Sequence, residues 1–277
     1  MPFKLGKRPP KQDARTLRLR RYLRPELPAP PPVIDHASIV PKWEMYANDK
    51  FGDCGPAGCA HQTVSWSHYA GRPLIPTEKQ VIDAYFEITG GQDVGVYMLD
   101  LMKYWRNKGI GGDQIEAFVQ IDDDRLVEAK LAIQLFGSLG VGLALPDKHT
   151  FGPWTDVTGA PNPFNGHYVC AVAYDDSLQL FRVVTWGELW DMSYAWYEKY
   201  CDEAFVALND LSINLQTMTS PEGFDFKKLE NDLGHLGDPV DGGEPPVEPP
   251  PDPGSGCLGK AMGLSGLAAL VGYLFSC

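Results

Sequence analysis

A chain of 277 residues, 44% hydrophobic and 22% charged, has the length to bury a sizeable core in one large domain or two small ones, and its composition is ordinary for a soluble globular protein. A formal net charge of −12 argues against nucleic-acid binding by the body of the molecule, because neutralising phosphates takes clustered Lys and Arg. Six cysteines without a CxxC pair match neither a disulfide scaffold nor a zinc pattern, so neither metal nor cofactor is implied and reduced thiols in a cytoplasmic setting are the default.

The charge is uneven. Residues 1–24 carry nine basic side chains, from Lys4 to Arg24, against the single acid Asp13, which leaves a remainder of about −20. The opening MPFKLGKRPPKQ has charge but no apolar stretch, so it does not read as a secretory signal. After it comes the Pro-rich RPELPAPPPVID, where prolines forbid a long helix. Residues 1–37 therefore read as a basic arm with room for one short helix, extended over another surface or left as a solvated tail, and whether its charge meets a nucleic acid stays open.

The globular body is expected over 38–237. A helix is expected over Cys54–Tyr69, with Asp53 as its N-cap, and a second opens at Thr77 and Glu78. A third runs from about Val96 to Lys108, with Met98, Leu101, Met102 and Trp105 at helical spacing and GIGG to stop it. A fourth spans about Asp124 to Phe136. The chain then changes character: VGLALP, HYVCAVAYDD, QLFRVVTWG and AFVALN are short β-branched or aromatic segments divided by turn residues. Helices followed by strands indicate an α+β body with a cleft between two halves.

Residues 238–256, DPVDGGEPPVEPPPDPGSG, form an acidic Pro-rich linker. The tail, 257–277, is uncharged after Lys260. Its apolar run of about 16 residues would make a helix of roughly 24 Å, short of the ~20 residues a membrane span needs. It reads as a docking segment for a protein partner or a membrane surface.

Two cysteines flank a Gly-Pro pair in NDKFGDCGPAGCAHQT. A thiol becomes nucleophilic when its thiolate is stabilised, and a helix N-terminus with a nearby imidazole provides that. Cys54 stands at the expected helix start, whereas Cys59 lies more than a turn inside. The alternative is two small buried thiols. Among the six histidines His167 is placed at the mouth of a buried strand, and it reads either as a base or as a solvated ring at a strand start.

In this order the pieces resemble the papain-like cysteine peptidases over about residues 42–210. They are Asn48 with GDCG and a following helix, GIGG, KLAIQLFGSLGVGLAL, NGHYVCAVAYDD and VVTWGELW. The DCGPA portion is also similar to the bacteriocin-processing peptidases, whose nucleophile is the Cys of DCG. The resemblance implies a papain-like fold, Cys54 as nucleophile, His167 as general base and Asn48 as oxyanion-hole donor beside the Cys54 N–H. It also implies that Trp186 shields the imidazole. One position departs from the pattern: where the family has an Asn before SWG this chain has Val184, with Thr185 beside it. A Thr185 hydroxyl can orient an imidazole but cannot stabilise imidazolium as a carboxylate does; Glu188 and Asp175 are nearby substitutes.

Two functions follow. The first is a thiol hydrolase, a cysteine peptidase or amidase, acting on a protein or peptide substrate. The second is a catalytically weak or inactive papain-fold structural protein of a larger assembly, such as a virion or envelope component, held by its arm and its tail.

Overall fold

The computed structural model describes residues 4–23, 29–121, 125–148 and 152–209. The chain divides into two compact units, 1–237 and 238–277. The second unit, which holds the linker and the apolar tail, lies outside the described residues.

In chain order the elements are a single 3-10 turn at Leu19–Tyr22, β1 (Val33–Asp35), α1 (Cys54–Tyr69), α2 (Glu78–Thr89), α3 (Met98–Lys108), β2 (Ala117–Gln120), α4 (Arg125–Phe136), β3 (Leu139–Ala144), β4 (Gly166–Asp175), β5 (Leu180–Thr185), β6 (Glu188–Ser193), α5 (Tyr194–Tyr200) and β7 (Cys201–Leu208). The first four helices lie where the apolar spacing puts them. Thr77 and Gln80 close a reciprocal capping box at the head of α2, and Gly90, in the left-handed conformation, ends it. Sequence reading missed β1, β2, β6 and α5. None is longer than seven residues.

All strand pairs are antiparallel, in the order β2-β7-β3-β4-β5-β6. β4 is long enough to carry two partners along one edge: β3 covers Gly166 to Ala171, and β1 continues from Ala173 to Asp175. The fold is α+β, with helices ahead of an antiparallel sheet.

α1 is buried nearly all round, and it reaches the sheet because it opens with small residues. A Cβ added at Gly58 would lie 2.6 Å from the Tyr168 ring. Around this contact one apolar cluster joins α1 to α3, including the stacked rings of Trp66 and Trp105 at 5.6 Å. A second cluster joins the sheet to α4 and α5. β4 is the seam between them.

The arm is not a solvated tail. Leu17, Leu19 and Tyr22 are buried in the sheet-side core, and β1 is hydrogen-bonded to the body. Over its described part, the arm that the sequence offers to a neighbouring molecule is folded onto its own domain. Ion pairs Lys11 to Asp100 and Lys103 to Asp13 tie the basic arm to the acidic body.

Candidate active site

The loop before α1 is tightly wound: Tyr46 and Ala47 have φ of 53° and 62°, a conformation that costs a non-glycine residue about 1 kcal/mol or more. It delivers Asn48 to the mouth of the helix, 2% exposed. The Asn48 amide donates to Asp53 Oδ1 at 3.1 Å and to the Phe51 carbonyl at 3.2 Å. Asp53 is the N-cap by position, yet its side chain makes no capping hydrogen bond; it turns to Asn48 instead. Burial pushes the Asp53 carboxyl up to about 8, with the Asn48 hydrogen bond pulling the other way. As placed, Asn48 braces Asp53, and to donate to an oxyanion it would give up one of these two bonds.

Cys54 is the first residue of α1 and is 1% exposed. Burial pushes its thiol up to about 12, and the neighbouring Asp53 charge adds to that. Main-chain hydrogen bonds at Tyr168 and at Gly6, with the Lys7 charge, pull it down. Cys59 and Cys170 are buried free thiols, also pushed up by burial.

His167 lies near the start of β4, opposite Leu143, with its ring fully buried. Its Nε2 is 2.7 Å from Thr185 Oγ1. The Trp186 indole stacks on the imidazole, centroids 4.2 Å apart and 15° from parallel. Trp186 has φ of 46°, which turns the chain sharply just after β5. Successive strand side chains point to opposite faces, so Thr185 meets the ring while Val184 packs with Val64, Cys170 and Val172. Glu188 accepts from the Trp190 indole at 3.2 Å. Asp175 stands at the far end of β4, roughly 26 Å along the strand from His167, where it caps a turn at Ser177.

The arm runs through this site. Lys4 N donates to the Asn48 carbonyl and Trp186 Nε1 to the Lys4 carbonyl, both at 3.3 Å. Val96 N donates to the Gly6 carbonyl at 2.8 Å, Arg8 N to the Val96 carbonyl at 2.8 Å, and Lys7 N to the Gly166 carbonyl at 3.0 Å. Main chain approaches main chain at glycines. A Cβ on Gly6 would lie 1.7 Å from the Gly52 oxygen, and one on Gly166 would lie 2.0 Å from the Lys7 oxygen. Residues 4–8 thus form a strand-like plug between the loop at Gly52 and Gly95–Val96 on one side and Gly166–His167 on the other.

Among the described residues no group of three or more His, Cys, Asp or Glu is arranged to hold a metal ion, and no helix is long and apolar enough to cross a membrane.

No family model matches the sequence, and no curated protein matches it. Solved structures do match in three dimensions. Xylellain, a cysteine protease from Xylella fastidiosa, superposes with a TM-score of 0.60 at 15% identity, covering 76% of this chain and 98% of its own. Digestive procathepsin L 3 of Tenebrio molitor larval midgut gives 0.54 at 15% identity, covering 73% and 76%. Procathepsin L2 from the same tissue gives 0.51 at 17%, covering 64% and 68%. The fold is papain-like. At these identities the likeness speaks for the architecture, and the chemistry of this papain-like domain has to be argued from its own side chains.

Sequence reading named Cys54, His167, Asn48 and Thr185 as candidates; the structure sets His167 Nε2 against Thr185 Oγ1 and Asn48 against Asp53 at the mouth of α1. What sequence reading missed is the plug and its anchor. Lys7 is buried against Asp202 and Glu203 at the start of β7. The glycines of LGK, FGD, GGQDVG and NGH were the available signal, since each marks a place where backbone can come close to backbone.

Proposed function

We propose that the chain is a thiol hydrolase acting on peptide or protein substrates, with Cys54 as nucleophile and His167 as its base. The observation that carries this is the 2.7 Å contact of His167 Nε2 with Thr185 Oγ1 inside a papain-like fold that also sets Cys54 at a helix mouth. With Nε2 engaged by Thr185, Nδ1 is the nitrogen to take the thiol proton. The thiolate adds to the acyl carbon, and the Cys54 N–H, with the Asn48 amide once it is released from Phe51, donates to the developing oxyanion. Imidazolium returns its proton to the leaving amine. Water then attacks the thioester, giving the acid and restoring the thiol.

Thr185 holds the ring without adding negative charge, so the enzyme is slow compared with one that has a carboxylate there. The Trp186 face excludes water from the imidazole. With residues 4–8 in the cleft and a thiol at about 12, the state described is dormant, and a substrate must displace the plug.

The test is to incubate a complex peptide pool with the full chain and with its Cys54→Ala and His167→Ala variants, and to read new termini by mass spectrometry. Products with the parent chain and none with either variant support the reading. The same products from all three proteins, or none from the parent even after its plug is weakened by substitution at Gly6, would overturn it.

A further inference from the structure

Asp53 stands directly before Cys54 and is fully buried. An aspartate at the N-cap of a helix ordinarily accepts main-chain N–H bonds from the first turn, and those bonds hold it ionised. Here the side chain makes no capping bond. Its Oδ1 accepts from Asn48 Nδ2 at 3.1 Å, and its Oδ2 is buried without a hydrogen-bond partner. A bare carboxylate oxygen is costly away from water, whereas a protonated carboxyl has no charge to desolvate.

Two carboxylates reach Asp53 from other elements, Asp93 in the loop ahead of α3 and Glu78 at the head of α2, and both favour the neutral acid. Asp93 Oδ1 accepts from Gly52 N at 2.8 Å and from the Tyr85 hydroxyl on α2 at 2.7 Å. Lys7, a cation that acts on Cys54, has its Nζ turned to Asp202 and Glu203. On α1 itself the neighbour is the Cys54 thiol, whose ionisation an Asp53 charge opposes. The consequence lies in Asn48. Its amide nitrogen carries two hydrogens, one on Asp53 Oδ1 and one on the Phe51 carbonyl. When the second turns from Phe51 to a reacting carbonyl, the first stays on Asp53 and fixes where the nitrogen sits. A neutral acid does this without adding charge. An ionised one sets a negative charge within one hydrogen bond of the donor, beside an oxygen that is becoming negative and a sulfur that has to become so.

We propose that Asp53 is the positioning residue of the Asn48 amide and works as a neutral acid, so that its ionisation turns the hydrolase off. This rests on the thiol-hydrolase reading above. Burial sets the window: the carboxyl stays protonated up to about 8, so the competent form is held at neutral pH and lost as the pH rises through that value.

Acylation of Cys54 by a peptide p-nitrophenyl ester, which passes through an oxyanion, is compared with its alkylation by iodoacetamide, which does not. The ratio of the two rates cancels the basicity of the thiol. Both are followed across pH 6.5 to 9.5 on the full-length parent and on Gly6→Val, each also carrying Asp53→Asn, Asp53→Ala or Asp93→Asn, with thermal melting as the check on folding. Without a second substitution the ratio should fall about tenfold or more through pH 8. Asp53→Asn keeps the acceptor and cannot ionise, so its ratio should stay within about twofold over the same range. Asp53→Ala lacks the brace and should be about tenfold lower already at pH 6.5. Asp93→Asn withdraws a charge that opposes ionisation, so the fall should move toward lower pH, and it decides the matter should the Asp53 variants fail to fold. A fall that Asp53→Asn leaves in place, or, with unfolded Asp53 variants, one that Asp93→Asn does not move, would overturn the role of Asp53 while leaving the hydrolase standing. Silence of Cys54 toward the ester in folded parent and folded Gly6→Val alike would overturn the hydrolase, and this role with it.

Discussion

Thr185 Oγ1 and His167 Nε2 lie 2.7 Å apart in a buried site, one at the end of β5 and the other near the start of the neighbouring β4. A hydroxyl can fix the plane of the ring, and it stabilises the charged form of the imidazole less than a carboxylate would.

Replacing Thr185 with Val keeps the shape and deletes the bond. Cys54 acylation by a good substrate should fall about tenfold to a hundredfold, the worth of one buried hydrogen bond to a group that becomes charged. Thr185→Ser should retain most of the rate. Single-turnover acylation kinetics across pH report both the loss and any shift in the limb that titrates with the imidazole. Equal rates in parent and Thr185→Val would remove Thr185 from the mechanism.

The plug can be lifted without touching the reacting groups. Valine at Gly6 puts its Cβ against the Gly52 carbonyl, where only 1.7 Å is available and the obstacle is backbone. Residues 4–8 should leave the cleft while Leu17, Leu19 and Tyr22 hold the rest of the arm. As burial of Cys54 is relieved its thiol falls from about 12, and iodoacetamide should modify it about tenfold faster at neutral pH. Peptide mapping checks the site, and an unchanged far-UV CD spectrum shows that the body persists.

Stability should fall as pH rises from mildly acid to mildly alkaline. Burial raises two carboxyls, Glu203 to about 7 and Asp53 to about 8, above ordinary values of 4.5 and 3.8. Between the ordinary and the raised value the folded chain binds more protons than the unfolded one, so the slope of stability against pH is negative. The contribution is complete below about pH 4 and is lost through pH 7 for Glu203 and pH 8 for Asp53. Urea midpoints between pH 5 and 9 measure the slope. Asp53→Asn, which keeps an acceptor for Asn48, should flatten its alkaline part; an unaltered slope would show that Asp53 is not the titrating group.

The approach of α1 to β4 depends on the missing side chain at Gly58. Valine there meets the Tyr168 ring at 2.6 Å and should cost about 1–3 kcal/mol in chemical denaturation, or shift α1 enough to slow acylation as well. Full stability and full activity in Gly58→Val would mean that the helix has slack the packing does not show.

The four long helices and the long strands could be read from the chain, and Cys54 and His167 could be nominated as candidates, because each rests on local information: apolar spacing, caps, a cysteine at a helix start, a histidine opening an apolar run. Thr185 and Val184 show the limit of that reading. They are neighbours in sequence, and the choice between them follows from which residue of β5 shares a face of the sheet with His167, a matter of register. Asp53 shows it too, since residue type and position marked it as a side-chain cap while its carboxyl is turned to Asn48.

By itself the sequence determined a helical stretch followed by strands, an acidic body with a basic N-terminal arm, and the candidate nucleophile and base. Only the tertiary structure decided that His167 meets Thr185, that the main chain of residues 4–8 is bonded to Asn48, Val96 and Gly166, and that Lys7 is held by Asp202 and Glu203 almost two hundred residues away along the chain. The reason is physical. Helix signals live within a few residues, whereas a buried ion pair, a strand register and a backbone passing between glycines are settled when distant segments pack together.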